Sequence, residues 1–209
     1  LAQFRDDFSG GTLAPHWLGD TDNFAVINDE LQLNDLTPES NNTSVLYALA
    51  PTSTIASTTW SIKVRCDFSP STSNFATIYL AADQIPGPSN DWNGYYLKVG
   101  GISGSDDALE FYRQDGSSSV LLTSGNPGAV ASDPVTVAIL VNRTTGGEWT
   151  IEADYTGGED YDLQGAVLDT NYPSSLYFGM ACRYTSTRNM AFFFDDVLVD
   201  PIVEDEEAP

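Results

Sequence analysis

The 209-residue chain carries thirty Asp and Glu against eight Lys and Arg, a formal charge of −22. That balance excludes nucleic acid and anionic membrane surfaces as partners, because both are recognised through basic footprints. The apolar fraction of 41% and aromatic fraction of 11% exclude disorder and provide for one substantial core.

The chain opens on "LAQFRDDFSG", with no charged-then-apolar leader, as expected of a mature or excised piece. In "FRDDFSG", period two puts Asp6 on the face of Phe4 and Phe8, with Asp7 on the other face beside Arg5. Strand-like runs follow: "NFAVINDELQLND", "TSVLYALA", "WSIKVRCDF", "FATIYLAAD", "GYYLKVGGI" and "ALEFYRQDG". Then come "VLLTSG", "VTVAILVNRT", "EWTIEADYTG", "SLYFGMACRYT" and "MAFFFDDVLVD". Gly, Pro, Asn, Asp and Ser clusters separate them, and no segment carries a helical stripe. About eleven short strands at this spacing predict an all-β antiparallel β-sandwich or jelly roll. One domain is expected over 1–200, with "PIVEDEEAP" at 201–209 as an acidic linker. No run of ~18 apolar residues exists, so no membrane insertion is expected.

The last strand poses a problem. By parity Phe193, Asp195, Val197 and Val199 share one face, and Phe192, Phe194, Asp196 and Leu198 the other. Both faces are apolar except for the aspartates, so at least one carboxylate is expected to be partly buried and in need of a partner. If the first and last strands meet, Asp6, Asp7, Asp195 and Asp196 converge, and a calcium ion with oxygen ligands is the expected companion. The alternative is hydrogen-bonded strand-end aspartates with Arg5 or Arg188 as counter-ion. Asp20, Asp22, Asp106 and Asp107 are further ligand sources or turn formers. Cys66 and Cys182 belong to no C-x-x-C, and a single histidine argues against zinc. They are either one disulfide between distant strands or two buried thiols.

"NGYYLKVGG" and "LEFYRQDG" hold the candidate ligand face. If they pair as a hairpin, Tyr96, Lys98, Glu110, Tyr112 and Gln114 share one polar-aromatic side, and the preceding loop adds Trp92. Aromatic platforms with planar polar neighbours suit sugar rings, so a polysaccharide or glycan is the expected partner. The competing reading is structural, since tyrosine is common on sandwich strands. Trp17, Trp60 and Trp149 are expected in the core.

"DDFSGGTLAPHWLGDTDNFAVINDELQL", "PSTSNF", "NGYY" and "CRYTSTR…FFFDD" together resemble a concanavalin A-like, laminin-G-like jelly-roll domain of secreted or surface-anchored Bacteroidota proteins. The resemblance spans about residues 4–200. It implies two curved antiparallel sheets, a structural calcium, and a secreted or cell-surface multidomain protein with covalently linked neighbours. Carbohydrate binding is what it implies by fold, which is weak ground for function.

Catalysis finds no motif. A laminarinase-type E-x-D-x-x-E would need a second Glu where "EADYTGGE" places Thr156 and Gly157, so Glu152 and Asp154 read as a solvated strand face. His16, in "APHWLGD", reads as structural rather than as a lyase base. The expected function is a non-catalytic, calcium-stabilised binding module. A spacer or adhesin domain without glycan affinity and a divergent glycoside hydrolase or polysaccharide lyase are the alternatives.

Overall fold

In the computed structural model, which describes residues 3–202, the period-two runs pair into two antiparallel sheets stacked face to face. Strands are numbered along the chain. The first sheet runs β13 (Asp162–Leu168), β12 (Glu148–Asp154), β11 (Val135–Arg143), β6 (Thr58–Cys66), β15 (Phe192–Pro201), β4 (Glu30–Leu33), β3 (Phe24–Ile27). β1 (Phe4–Asp6) joins it along β15. The second runs β10 (Ser118–Ser124), β9 (Leu109–Gly116), β8 (Trp92–Val99), β7 (Phe75–Ala82), β14 (Tyr177–Tyr184), β5 (Asn42–Leu49), β2 (Leu18–Gly19).

These fifteen strands exceed the number legible in the sequence for local reasons. "NFAVINDELQLND" reads as one run but is the β3–β4 hairpin, folded over Asn28 and Asn-like Asp29, both at positive φ (55° and 63°). That two-residue geometry matches strand twist and tolerates Asn and Asp better than branched residues. β1 and β2 are too short to show a period. β13, "DLQGAVL", is an edge strand with Leu163 and Leu168 exposed, so its pattern is not that of a core strand.

The inner faces form one core shared by both sheets. Trp17, Trp60 and Trp149 lie within it as expected, the last two stacked at 5.4 Å between centroids. Cys66 on β6 and Cys182 on β14 are free, fully buried thiols. Burial, with smaller help from Asp67, pushes the Cys66 thiol up to about 12.

The first and last strands do meet: Phe4 faces Val199 and Asp6 faces Val197. The parity expected for β15 fails within it. Asp195 pairs with Lys63 and Leu198 with Ser61, so β15 spends an extra residue opposite Ile62. Asp196 takes φ 52°, the left-handed turn of a β-bulge. The face therefore switches: Phe192, Phe194, Val197 and Val199 all point into the core, and both carboxylates point out. The strand also outruns the expected boundary at residue 200. Pro201 still pairs with Thr58, and the Ile202 amide donates to the Ser57 carbonyl at 2.7 Å. The remainder of the acidic linker lies outside the described residues.

Candidate functional site

β8 and β9 pair in the register that the hairpin reading requires: Tyr96 opposite Tyr112, Lys98 opposite Glu110, Gly94 opposite Gln114. Their alternate residues Tyr95, Leu97, Val99, Leu109 and Phe111 enter the core, which turns Tyr96, Lys98, Glu110, Tyr112 and Gln114 outward together. β7 lies on the other side of β8, with Tyr79 opposite Tyr96 and Thr77 opposite Lys98. A bulge in β7 between Tyr79 and Ala81 brings its backbone against Gly94, where an added Cβ would sit 1.9 Å from the Ala81 carbonyl oxygen. Only glycine fits that approach.

These strands floor a recess of about 350 Å³, towards the small end of the roughly 300–1,000 Å³ typical of small-ligand sites. Tyr96 and Tyr112 stack with rings 6° from parallel and centroids 4.9 Å apart. The Tyr96 hydroxyl donates to Ser119 at 2.9 Å, Ser119 donates to the Gln114 carbonyl at 2.6 Å, and the Gln114 amide donates to the Gly116 carbonyl at 2.8 Å. Tyr112 donates to Glu110 at 2.8 Å. Lys98 lies 3.9 Å from Glu110, donates to the Gly101 carbonyl at 3.2 Å, and sits 4.7 Å above the Phe75 ring. Burial raises Tyr79, Tyr96 and Tyr112 above the usual phenol value, so all three stay protonated donors at neutral pH.

Of the expected ligand residues, Tyr96, Lys98, Tyr112 and Gln114 line the recess, and Glu110 stands behind Tyr112. Trp92 also borders it, but not as a stacking platform. It is 3% exposed, edge-on to Tyr79 at 5.4 Å, with its indole N–H donated to the Gly87 carbonyl at 3.3 Å. It is a buried prop beneath the loop preceding β8. Phe75, Thr77, Tyr79, Gly87, Pro88, Ser117 and Ser119 complete the wall and were not singled out in the sequence. The alternation in "FATIYLAAD" places the first three on one side. That this side borders β8's outer face depends on strand order, which alternation does not encode.

The carboxylates expected to hold calcium have other partners. Asp6 accepts the Trp17 indole N–H at 2.8 Å and the Phe8 amide at 2.9 Å, with His16 at 3.2 Å. Asp7 accepts from the Ser9 hydroxyl and amide, which hold it below the usual carboxylate range. Asp196 pairs with Lys63 at 3.0 Å, and Asp195 accepts the Asp196 amide. Lys63 is the counter-ion of Asp196, the Arg5 charge adds to the lowering of Asp7, and Arg188 lies over Phe68. Among the described residues no three His, Cys, Asp or Glu side chains gather as a metal-binding group. Protein donors and the Lys63 ammonium already answer these carboxylates, so the expected calcium cage does not fit. Of the alternative acids, Asp20 accepts the Val45 amide, and Asp107, fully buried, accepts the Ile102 amide at 2.8 Å; burial raises its carboxyl against the pull of that amide. Asp154 is not solvated as expected: it is buried, gathering the amides of Thr156 and Asp160.

No family model matches the chain, and no curated protein does. Solved structures do. The Ca2+/Man-bound exoplasmic/lumenal domain of VIP36 superposes with TM-score 0.72 at 11% identity, covering 99% of this chain and 92% of that one. The Emp47p carbohydrate recognition domain gives 0.65 at 15%, covering 96% and 95%. The carbohydrate binding module CBM66 from Bacillus subtilis gives 0.58 at 12%, covering 88% and 95%. At such identities the likeness defines the fold alone: an antiparallel, concanavalin A-like jelly-roll sandwich.

Proposed function

We propose that this chain is a non-catalytic carbohydrate-binding module that takes its glycan in the recess over β7–β10. The reading is carried by the Tyr96–Tyr112 stack lying beside Lys98, Gln114 and Ser119 on one concave surface. A pyranose ring is apolar on its faces and polar at its edge, and needs aromatic surface flanked by fixed hydrogen-bonding groups. No carboxylate lines the recess, so the pair of acids that glycoside hydrolysis requires across the scissile bond is missing there. That favours binding over turnover. The mannose-bound VIP36 domain, the Emp47p recognition domain and CBM66 support the same class of ligand. Calcium at Asp6, Asp7, Asp195 and Asp196 is not part of this reading, because those oxygens already accept protein donors. We infer that the module works outside the cytoplasm, as one domain of a larger exported chain; the exoplasmic/lumenal origin of the VIP36 domain supports this. Among the described residues no helix is long and apolar enough to cross a membrane.

The test is affinity electrophoresis through native gels that each contain yeast mannan, laminarin, xylan, levan or pectin. Retardation in at least one gel, lost in Tyr112→Ala and Lys98→Ala, is expected. Unchanged mobility in every gel would overturn the reading and leave a spacer domain.

A further inference from the structure

The recess at Tyr96 and Tyr112 has a neighbour on the same sheet. A second hollow, about 280 Å³, opens over β5, lined by Gly19, Asp20, Thr43, Val45 and Tyr47 together with the loop 85–90. Gly87 and Pro88 of that loop line both hollows, so the loop stands between them as a shared wall. β14 lies beneath, and its register is explicit. Arg183 is flanked by Thr43 and Phe75, Ala181 by Val45 and Thr77, Gly179 by Tyr47 and Tyr79. Each row thus begins in one hollow and ends in the other. Over Ala181 the way is filled, since that residue is 3% exposed and packs in the cluster of Tyr79 and Trp92. Past Arg183 the surface is exposed. Among the described residues its guanidinium has no carboxylate within ion-pair distance, although the chain carries thirty acids.

Charge separates this sheet from its partner. On the outer face of the first sheet stand six carboxylates, Glu30, Glu148, Glu152, Asp195, Asp196 and Asp200, against Lys63 and Arg65. On the outer face of the second, the strands present Glu110 against Lys98 and Arg183. A face with so few carboxylates in so acidic a chain, Glu110 beside Lys98 and Asp20 at the second hollow, carries two hollows and the tyrosines Tyr47, Tyr79, Tyr96 and Tyr112, and is one extended surface rather than one pocket.

We propose that the ligand is a glycan chain that enters both hollows, crossing the sheet past Arg183, rather than a single terminal sugar. The inference rests on the carbohydrate-binding reading and adds a second subsite at Tyr47, Val45 and Thr43. From β8 to β5 is three strand spacings, ~14 Å, beyond the reach of one sugar ring. Arg183 supplies planar hydrogen-bond donors to the middle of such a chain, and the exposed flank of Tyr47 its far aromatic contact.

Calorimetry with oligosaccharides hydrolysed from the retaining polysaccharide, monosaccharide through octasaccharide, tests it. Affinity should climb by about tenfold or more once the chain spans both hollows, then level off. Tyr47→Ala and Arg183→Ala should each lose about tenfold for the octasaccharide, leave the shortest ligand unchanged, and melt at the wild-type temperature. Equal affinity for monosaccharide and octasaccharide, or variants indistinguishable from wild type on the long chain, would overturn the second subsite while leaving the first reading intact. No retention by any polysaccharide would remove both.

Discussion

Lys63 faces Asp195 across the β6–β15 ladder, yet its ammonium binds Asp196, 3.0 Å away. The extra residue of the bulge brings both carboxylates to the outer face, where one basic side chain and solvent serve them. Burial still raises the Asp195 carboxyl, against the pull of the Asp196 amide. Two adjacent aspartates in an apolar strand are thus the outward turn of a strand that changes face.

Removing the bulge residue should therefore be tolerated about as well as removing its charges. Deleting Asp196 would leave Asp195, Val197, Leu198 and Val199 opposite Lys63, Ile62, Ser61 and Trp60 in plain alternation, with both valines still inward, so urea melts should stay cooperative. Lys63→Ala should cost under ~1 kcal/mol, since the pair is half exposed. Asp196→Gly, which relieves the positive φ, should be tolerated as well. Loss of cooperative unfolding in the deletion variant would show that the bulge itself, rather than alternation on either side of it, holds the register.

Asp6 offers a separate test of what holds the terminal strands. Asp6→Asn weakens acceptors for the Trp17 indole and Phe8 amide and should cost about 1–2 kcal/mol. The loss should be the same in EDTA and in calcium. A loss confined to calcium-containing buffer would mean that the carboxylates share a cation, because only binding to the folded state adds RT ln(1 + [L]/Kd).

Acid stability should depend on Asp169. Burial alone would raise its carboxyl, but the Tyr95 hydroxyl at 2.6 Å, the Asn171 amide and Arg113 more than offset this and lower it. A lowered folded value means stability that is present above the unfolded carboxylate value, ~3.9, and lost as pH falls through the folded one. Asp169→Asn should cost about 3 kcal/mol at pH 7 and flatten that acid limb in melts from pH 6 to 2. An unchanged limb would assign acid unfolding elsewhere.

At high pH the sign reverses. Burial holds the Cys66 thiol at about 12 and raises Cys182 and Tyr79 as well. The unfolded thiol titrates near ~8.5, so the folded chain retains protons that the unfolded chain releases. Stability is full below that value and should fall as pH rises towards 12. Both thiols should resist Ellman's reagent at pH 8 and react on addition of guanidinium. Immediate reaction in native buffer would contradict their burial.

At the candidate site, Tyr96→Phe keeps the stack on Tyr112 and removes only the hydrogen bond to Ser119. Glycan affinity should fall by a few-fold at most, against about tenfold for Tyr112→Ala. Equal losses would place the binding energy in the hydroxyl relay rather than the ring faces.

The β8–β9 face was legible because alternation assigns sides within a strand and two tyrosine-bearing runs carry matching patterns. Tyr96, Lys98, Tyr112 and Gln114 followed once those runs were taken as a hairpin. Trp92 misled because composition does not tell a platform from a prop; the loop that buries its indole decides. Tyr79, Thr77 and Tyr47 were out of reach because they come from β7 and β5, and strand order across a sheet leaves no mark on local period.

By itself, then, the sequence determined the class of structure and which residues share a side. Polar and apolar residues recur at the strand period, and burial follows from that alone. Only the tertiary structure decided that Asp195 and Asp196 face outward, since one inserted residue inverts every later side chain. It alone also brought Lys98, Arg183 and tyrosines from four strands onto one sheet face and set most of the strand carboxylates on the other, beside Lys63 and Arg65, a separation that depends on which strands lie side by side.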